Sequence, residues 1–173
     1  MRISRSAAIA AVLLASAACA HGADPSADKA APSSTSTNLV TAPADGIRWT
    51  QFSGSTDVAS TVKTAVAQAH AHGRTLLVYV GAKWCEPCQR FHHAVEQGEL
   101  DAAFPHLSIL GFDADHDVEA LGAAGYTSRL IPLFALPRDD GRASGKQIEG
   151  SVKGESAVSD ITPRLRDLVA SGS

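Results

Sequence analysis

The order of elements along residues 46–169 predicts an α/β domain, with a mixed central β-sheet carrying helices on both faces. Three observations carry that reading. Residues 75–80 (TLLVYV) are a short, nearly all-apolar, β-rich run, the pattern of a strand buried on both faces in the middle of a parallel sheet. Residues 107–112 (LSILGF) supply a second central strand. Helical patterns alternate with these two runs, and a glycine-bearing polar turn then introduces a hairpin and a last helix.

The elements follow in order. Residues 47–52 are read as a first strand. Residues 57–72 form a helix, with Val58, Val62, Ala65, Val66 and Ala69 on one stripe and Gly73 as its stop. After the first central strand, Cys85 opens a second helix through Phe91 and Val95 towards Gly98, and residues 101–104 add one turn. A short helix at 117–124, ended by Gly125, follows the second central strand. Pro132 leads a strand to Leu136, residues 138–145 form the turn, and residues 147–152 pair back. The final helical pattern, 156–169, contains Pro163, read either as a first helical residue behind Thr162 or as a kink.

At 173 residues, 45% hydrophobic and 19% charged, the chain has the composition of one ordinary globular domain. Its beginning reads differently. Arg2 and Arg5, the apolar run 7–14 and the small residues 15–20 make an export signal, too short to span a membrane stably. Two processing readings stand. Cleavage after Ala20 (signal peptide 1–20) gives a protein free in the periplasm. Alternatively, Ser16-Ala17-Ala18-Cys19 resembles a bacterial lipobox, so that the signal is 1–18 and a lipid on Cys19 attaches the chain to an envelope membrane. Residues 21–45, rich in Ala, Ser, Thr, Pro and Asp, are expected to be a disordered linker, leaving 46–173 as the folded domain. Export removes Arg2 and Arg5, taking the formal charge from −3 to −5. With no basic tract, nucleic acid is not an expected partner.

Either processing route takes Cys19 out of thiol chemistry, so Cys85 and Cys88 are the one remaining pair. Thiols three apart at a helix start lie on one face, close enough to form a disulfide. The unpaired N–H groups and dipole of the first turn favour the thiolate, the species that attacks disulfides. Three readings of the pair remain open. It is a redox dithiol, half of a metal site completed by His92 and His93, or a structural clip. A clip gains little, because so small a loop restricts the unfolded chain least. His70, His72, His106 and His116 are scattered, as solvated surface histidines are.

The surroundings of the pair resemble the thioredoxin family. VYVGAKWCEPC stands where that family has its strand-to-active-site segment, and Ile131-Pro132, 47 residues past Cys85, resembles its cis-proline dipeptide. Gly150 fits the family glycine beside the substrate groove, and the resemblance covers about residues 46–170. It implies a thioredoxin-like fold and a thiol–disulfide oxidoreductase without a cofactor or metal. Cys85 would be the exposed nucleophile and Cys88 the more buried resolving thiol. Pro87 would sit in the first helical turn, where its missing N–H costs nothing. Trp84 would form the site rim, and the backbone at Ile131-Pro132 would pair with an extended substrate.

Two residues depart from the family pattern. Tyr79 occupies the place of a buried Asp that serves in proton transfer, and a neutral phenol cannot be that base at neutral pH. That leaves water or another group, Glu86 or Lys83, to take the Cys88 proton. Glu86 replaces the usual Gly, so that CEPC resembles extracytoplasmic reductases of cytochrome c maturation. Those proteins have a longer insertion before cis-proline; terminal domains of transmembrane thiol-reductant carriers share the short spacing. A charge at a helix end is worth about 0.3–1 kcal/mol, and about 1.4 kcal/mol equals roughly 30 mV, so Glu86 cannot set the direction of electron flow. The expectation is an exported reductase of protein disulfides, recharged by an envelope thiol donor. The alternative is a binding module of the same fold, with or without a Cys/His metal site.

Overall fold

The computed structural model describes residues 46–54 and 56–172. The export signal 1–20, Cys19 and the linker 21–45 lie outside the described residues. The elements run β1 (Arg48–Gln51), α1 (Val58–Ala71), β2 (Thr75–Gly81), α2 (Glu86–Glu96), β3 (Leu107–Asp113), α3 (Val118–Ala123), β4 (Leu133–Pro137), β5 (Ala143–Glu149) and α4 (Ala157–Ala170). The strands form one sheet in the order β1-β3-β2-β4-β5. β1, β3 and β2 are parallel, whereas β4 runs antiparallel to β2 and β5 antiparallel to β4.

The alternation of side chains along β2 explains both layers. Leu77 and Tyr79 point to the face covered by α2 and α4, where they meet Phe91, Phe134, Ile161 and Leu165. Leu76, Val78 and Val80 point to the other face, against Val58, Val62 and Val66 of α1 and Leu121 of α3. A strand clothed on both sides must be apolar at every position, which is why TLLVYV lacks a polar alternation. Helix α1 starts where the Asp57 carboxylate accepts a hydrogen bond from the Ser60 N–H at 2.9 Å. It ends before Gly73, whose φ of +65° suits glycine.

The hairpin departs from the sequence expectation. β5 begins at Ala143 and ends at Glu149, so the turn is shorter than 138–145 and the returning strand starts four residues earlier than 147. The Asp140 carboxylate accepts from the Arg142 N–H at 3.0 Å and the Arg138 N–H reaches the Arg142 carbonyl at 2.8 Å, closing the turn around Gly141. Gly145, read as a turn residue, lies inside the strand at φ +85°. Gly150, placed in the strand by sequence, follows its end at φ +64°. Pro163 lies inside a continuous α4 and does not start it.

Candidate active site

Cys85 is the N-cap of α2, and its extended backbone (φ −82°, ψ 106°) turns the chain from the end of β2 into the helix. Its sulfur accepts a hydrogen bond from the Cys88 N–H at 3.3 Å, so a first-turn orphan donor is spent on the reactive atom. Pro87 occupies that same turn, where it lacks nothing. The two cysteines are joined in a disulfide with a Cα–Cα separation of 5.2 Å. The sequence reading made Cys85 exposed. With the bridge closed it is 5% exposed, against 3% for Cys88. Its sulfur is bonded to that of Cys88, and the Ile131 carbonyl oxygen lies 3.8 Å from it.

The Ile131-Pro132 peptide is cis. It stands against the bridge, and the Pro132 carbonyl accepts the Gly150 N–H at 2.9 Å, tying the start of β4 to the chain leaving β5. Arg164 of α4 props that chain from behind, donating to the carbonyls of Gly150 and Glu149 at 2.9 and 2.8 Å. Trp84 is 68% exposed, and its indole N–H donates to the Asp115 carboxylate at 2.9 Å. Leu130, 60% exposed, packs on Gly150. Trp84 and Leu130 are thus exposed apolar side chains on the loops that flank the bridge.

Glu86 is a tether in this structure. One carboxylate oxygen accepts from Arg90 Nε at 2.8 Å and from the Gly154 N–H at 3.1 Å. The hydrogen bond from the Arg90 guanidinium, chiefly, holds its carboxyl below the ordinary value. The tether joins the first turn of α2 to the segment after β5. Sequence spacing gave no signal for Gly154, Asp115, Leu130 or Arg164; each matters only through a partner distant along the chain.

Tyr79 is buried among Trp49 (ring centroids 4.8 Å), Phe134 (5.3 Å) and Phe91 (6.2 Å). Burial pushes its phenol well above the ordinary value, so it stays neutral. A side chain at Gly81 would collide with the Tyr79 ring and hydroxyl, which makes glycine necessary there. Beside Tyr79, a cavity of about 660 Å³ opens at the carboxyl ends of the parallel strands and reaches Cys88. Its walls include Trp49, Tyr79, His92, His93, Glu96 and Asp113. His92 does not join the cysteines: its Nδ1 lies 3.3 Å from the Glu96 carboxylate, and its ring packs edge-on against Trp49. Among the described residues no group of three or more His, Cys, Asp or Glu side chains is placed to hold a metal.

Residues 57–108 match a family model described as thioredoxin-like. Thioredoxin from Trichomonas vaginalis is 21% identical over 73% of this chain and 97% of its own, with a TM-score of 0.47. Spinach chloroplast thioredoxin f (long form) is 18% identical over 73% and 88%, with a TM-score of 0.48. Poplar thioredoxin h is 21% identical over 73% and 95%, with a TM-score of 0.46. No curated protein sequence matched the chain.

Proposed function

We propose that this chain is a thiol–disulfide oxidoreductase of the thioredoxin family that reduces protein disulfides outside the cytoplasm. The observation that carries the reading is the Cys85–Cys88 bridge at the N-terminus of α2, set against the cis Ile131-Pro132 peptide. In the reduced protein the Cys85 thiolate attacks a substrate sulfur and forms a mixed disulfide. Cys88 then attacks the Cys85 sulfur, closing the bridge and releasing the substrate as a dithiol. Because exported proteins meet oxidising conditions, an envelope thiol donor returns the bridge to the dithiol. The export signal at 1–20 supports a periplasmic site of action, with a lipid on Cys19 or a free N-terminus after Ala20.

Single substitutions test the chemistry. Cys85→Ser is expected to abolish reduction of a protein disulfide, and Cys88→Ser to accumulate a mixed disulfide seen as a mass increment that reductant removes. Turnover by both variants at the wild-type rate would sink the mechanism. A potential measured against glutathione tests the direction, and a strongly oxidising value would refute the reductase assignment. Mass analysis of the exported chain distinguishes a lipid on Cys19 from an N-terminus at His21.

A further inference from the structure

We propose that His92 is the proton acceptor for Cys88, working through one water in the cavity beside Tyr79. The proposal rests on the dithiol-exchange reading above and names a residue that makes it run at neutral pH. Cys88 is buried, yet its thiol must lose a proton before it can attack. The cavity at the ends of β1, β2 and β3 borders it, and that cavity is roomy and polar enough to hold water.

The groups facing that water can be compared in turn. From β2 comes Tyr79, kept neutral by burial. From the β2–α2 connection comes Lys83, whose ammonium carries donors and no acceptor. From β1 come Trp49 and Gln51, which do not titrate. From the end of β3 come Asp113 and, just beyond it, His116, which pair with each other at 3.2 Å. From α2 come His92, His93 and Glu96. His92, half-buried, is four residues after Cys88 and so shares its helix face, whereas His93, also on the cavity wall, is exposed and one position further round the helix. Residues four apart on a helix are neighbours. No hydrogen bond joins the Cys88 and His92 side chains among the described residues, and both line the cavity, where one water can bridge them. Glu96 lies a further turn away, where it serves His92 instead.

The imidazole is also held for the task. Glu96 takes Nδ1 at 3.3 Å, and Trp49 packs edge-on at a centroid distance of 4.7 Å. A carboxylate on Nδ1 fixes the tautomer that leaves Nε2 as the acceptor. Nε2 has no hydrogen-bond partner among the described residues. In the resolving step the Cys88 S–H proton passes through water to Nε2. The freed electron pair forms the Sγ–Sγ bond with Cys85, and the Cys85–substrate bond breaks. Its electrons leave on the substrate sulfur, which takes a proton from solvent. Two protein thiols are oxidised as one substrate disulfide is reduced, so no further oxidant or reductant enters.

An ordinary thiol is only about 3% ionised at pH 7, so assistance by a base can speed its attack by at most about 30-fold there, and by nothing well above its pKa. Reduced full-length protein is mixed with a peptide disulfide, quenched in acid at intervals, and the mixed disulfide followed by mass from about pH 6 to 9. The expected result is that His92→Gln slows decay of the mixed disulfide about tenfold near pH 6–7, within the ceiling just given. The deficit should vanish towards about pH 9, and the rate at which the mixed disulfide forms should not change. Glu96→Gln should give a smaller deficit of the same pH dependence, and His93→Gln none. Decay at the wild-type rate in His92→Gln throughout, or a deficit independent of pH, overturns the proposal, as does a deficit in His93→Gln alone. Trapping by Cys88→Ser, measured alongside, separates these outcomes from a failure of the exchange mechanism itself.

Discussion

Replacing Gly150 with alanine tests how the site is held together and how it is reached. Gly150 has φ +64°, a conformation that costs an L-residue about 1–2 kcal/mol. Alanine also narrows the unfolded ensemble, which returns about 0.4–1 kcal/mol. The net destabilisation is therefore about 1 kcal/mol, a fall in Tm of roughly 3–5 °C for a domain of this size. The new methyl has a further effect. It would lie 2.9 Å from Leu130 Cδ1 and 3.1 Å from Leu130 Cβ, well inside the 3.5–4.0 Å of a comfortable carbon contact. Leu130 is exposed and can yield only outward, onto the surface beside Ile131-Pro132. The alanine N–H can still bond the Pro132 carbonyl, so the bridge and its support should persist. The assay compares two substrates: a small aromatic disulfide that needs only Cys85, and a folded protein disulfide that must lie along the chain at Ile131. The first should react at the wild-type rate. For the second, loss of about 1 kcal/mol of contact corresponds to a KM raised roughly fivefold. An unchanged Tm together with an unchanged KM for the protein substrate would refute both the strain argument and the assignment of Gly150 to the substrate surface.

Other perturbations separate core from rim. Phe91→Ala removes a side chain with no exposure whose ring meets Phe134 at 4.8 Å; denaturant unfolding should show a loss of about 3–5 kcal/mol. Trp84→Ala, at an exposed site, should change stability by under about 0.5 kcal/mol, while weakening capture of protein disulfides in the Cys88→Ser background. Glu86→Ala should speed hydrogen exchange at the Gly154 amide, because it removes that amide's acceptor. Since the Glu86 carboxyl lies below its ordinary value when folded, the tether's stabilisation is present above the unfolded value. It is lost as pH falls through the folded one, so acidification should lower the protection of the same amide relative to its intrinsic exchange rate in the wild type, and leave that protection unchanged by this route in Glu86→Ala.

The sheet was legible because its central strands are buried on both faces. Leu76 to Val80 and Leu107 to Phe112 had no solvent-facing positions to break their apolar runs, and Asp57 and Gly73 marked α1 by local chemistry. The hairpin was less legible for the opposite reason. β5 is an edge strand, ASGKQIE, with three exposed positions and a glycine in its interior, so neither alternation nor β-propensity announced its first half. Its beginning is fixed by tertiary contacts such as the Ser144 hydroxyl donating to the Leu136 carbonyl at 2.6 Å. At the site, the cysteines, the prolines and Trp84 stood out by spacing. What joins them did not. The Glu86 and Gly154 partners are 68 positions apart and Trp84 and Asp115 are 31 apart, separations that no periodicity encodes.

The disulfide lies between two unlike surroundings, and the helix start explains why. Cys85 caps α2 and leans towards the cis Ile131-Pro132 peptide, beside Trp84, Leu130 and the segment tethered by Glu86. Cys88, one turn later, borders the cavity with Tyr79, Trp49 and His92. A partner protein can therefore address Cys85 without filling the cavity, and water can reach the Cys88 side without crossing the contact surface. This separation weakens the significance of Tyr79 as a missing base. A proton acceptor need not lie beneath the cysteines when an open, histidine-lined cavity borders the resolving one. It also reassigns Glu86: its carboxylate is spent on Arg90 and Gly154, so its leverage lies in holding the contact side in shape, and its charge at the helix end is a secondary influence on the potential. The two sides should accordingly fail independently. Damage at Gly150 or Glu86 should discriminate among substrates at any pH, whereas damage at His92 should slow every substrate's release and do so only where the Cys88 thiol is not already ionised.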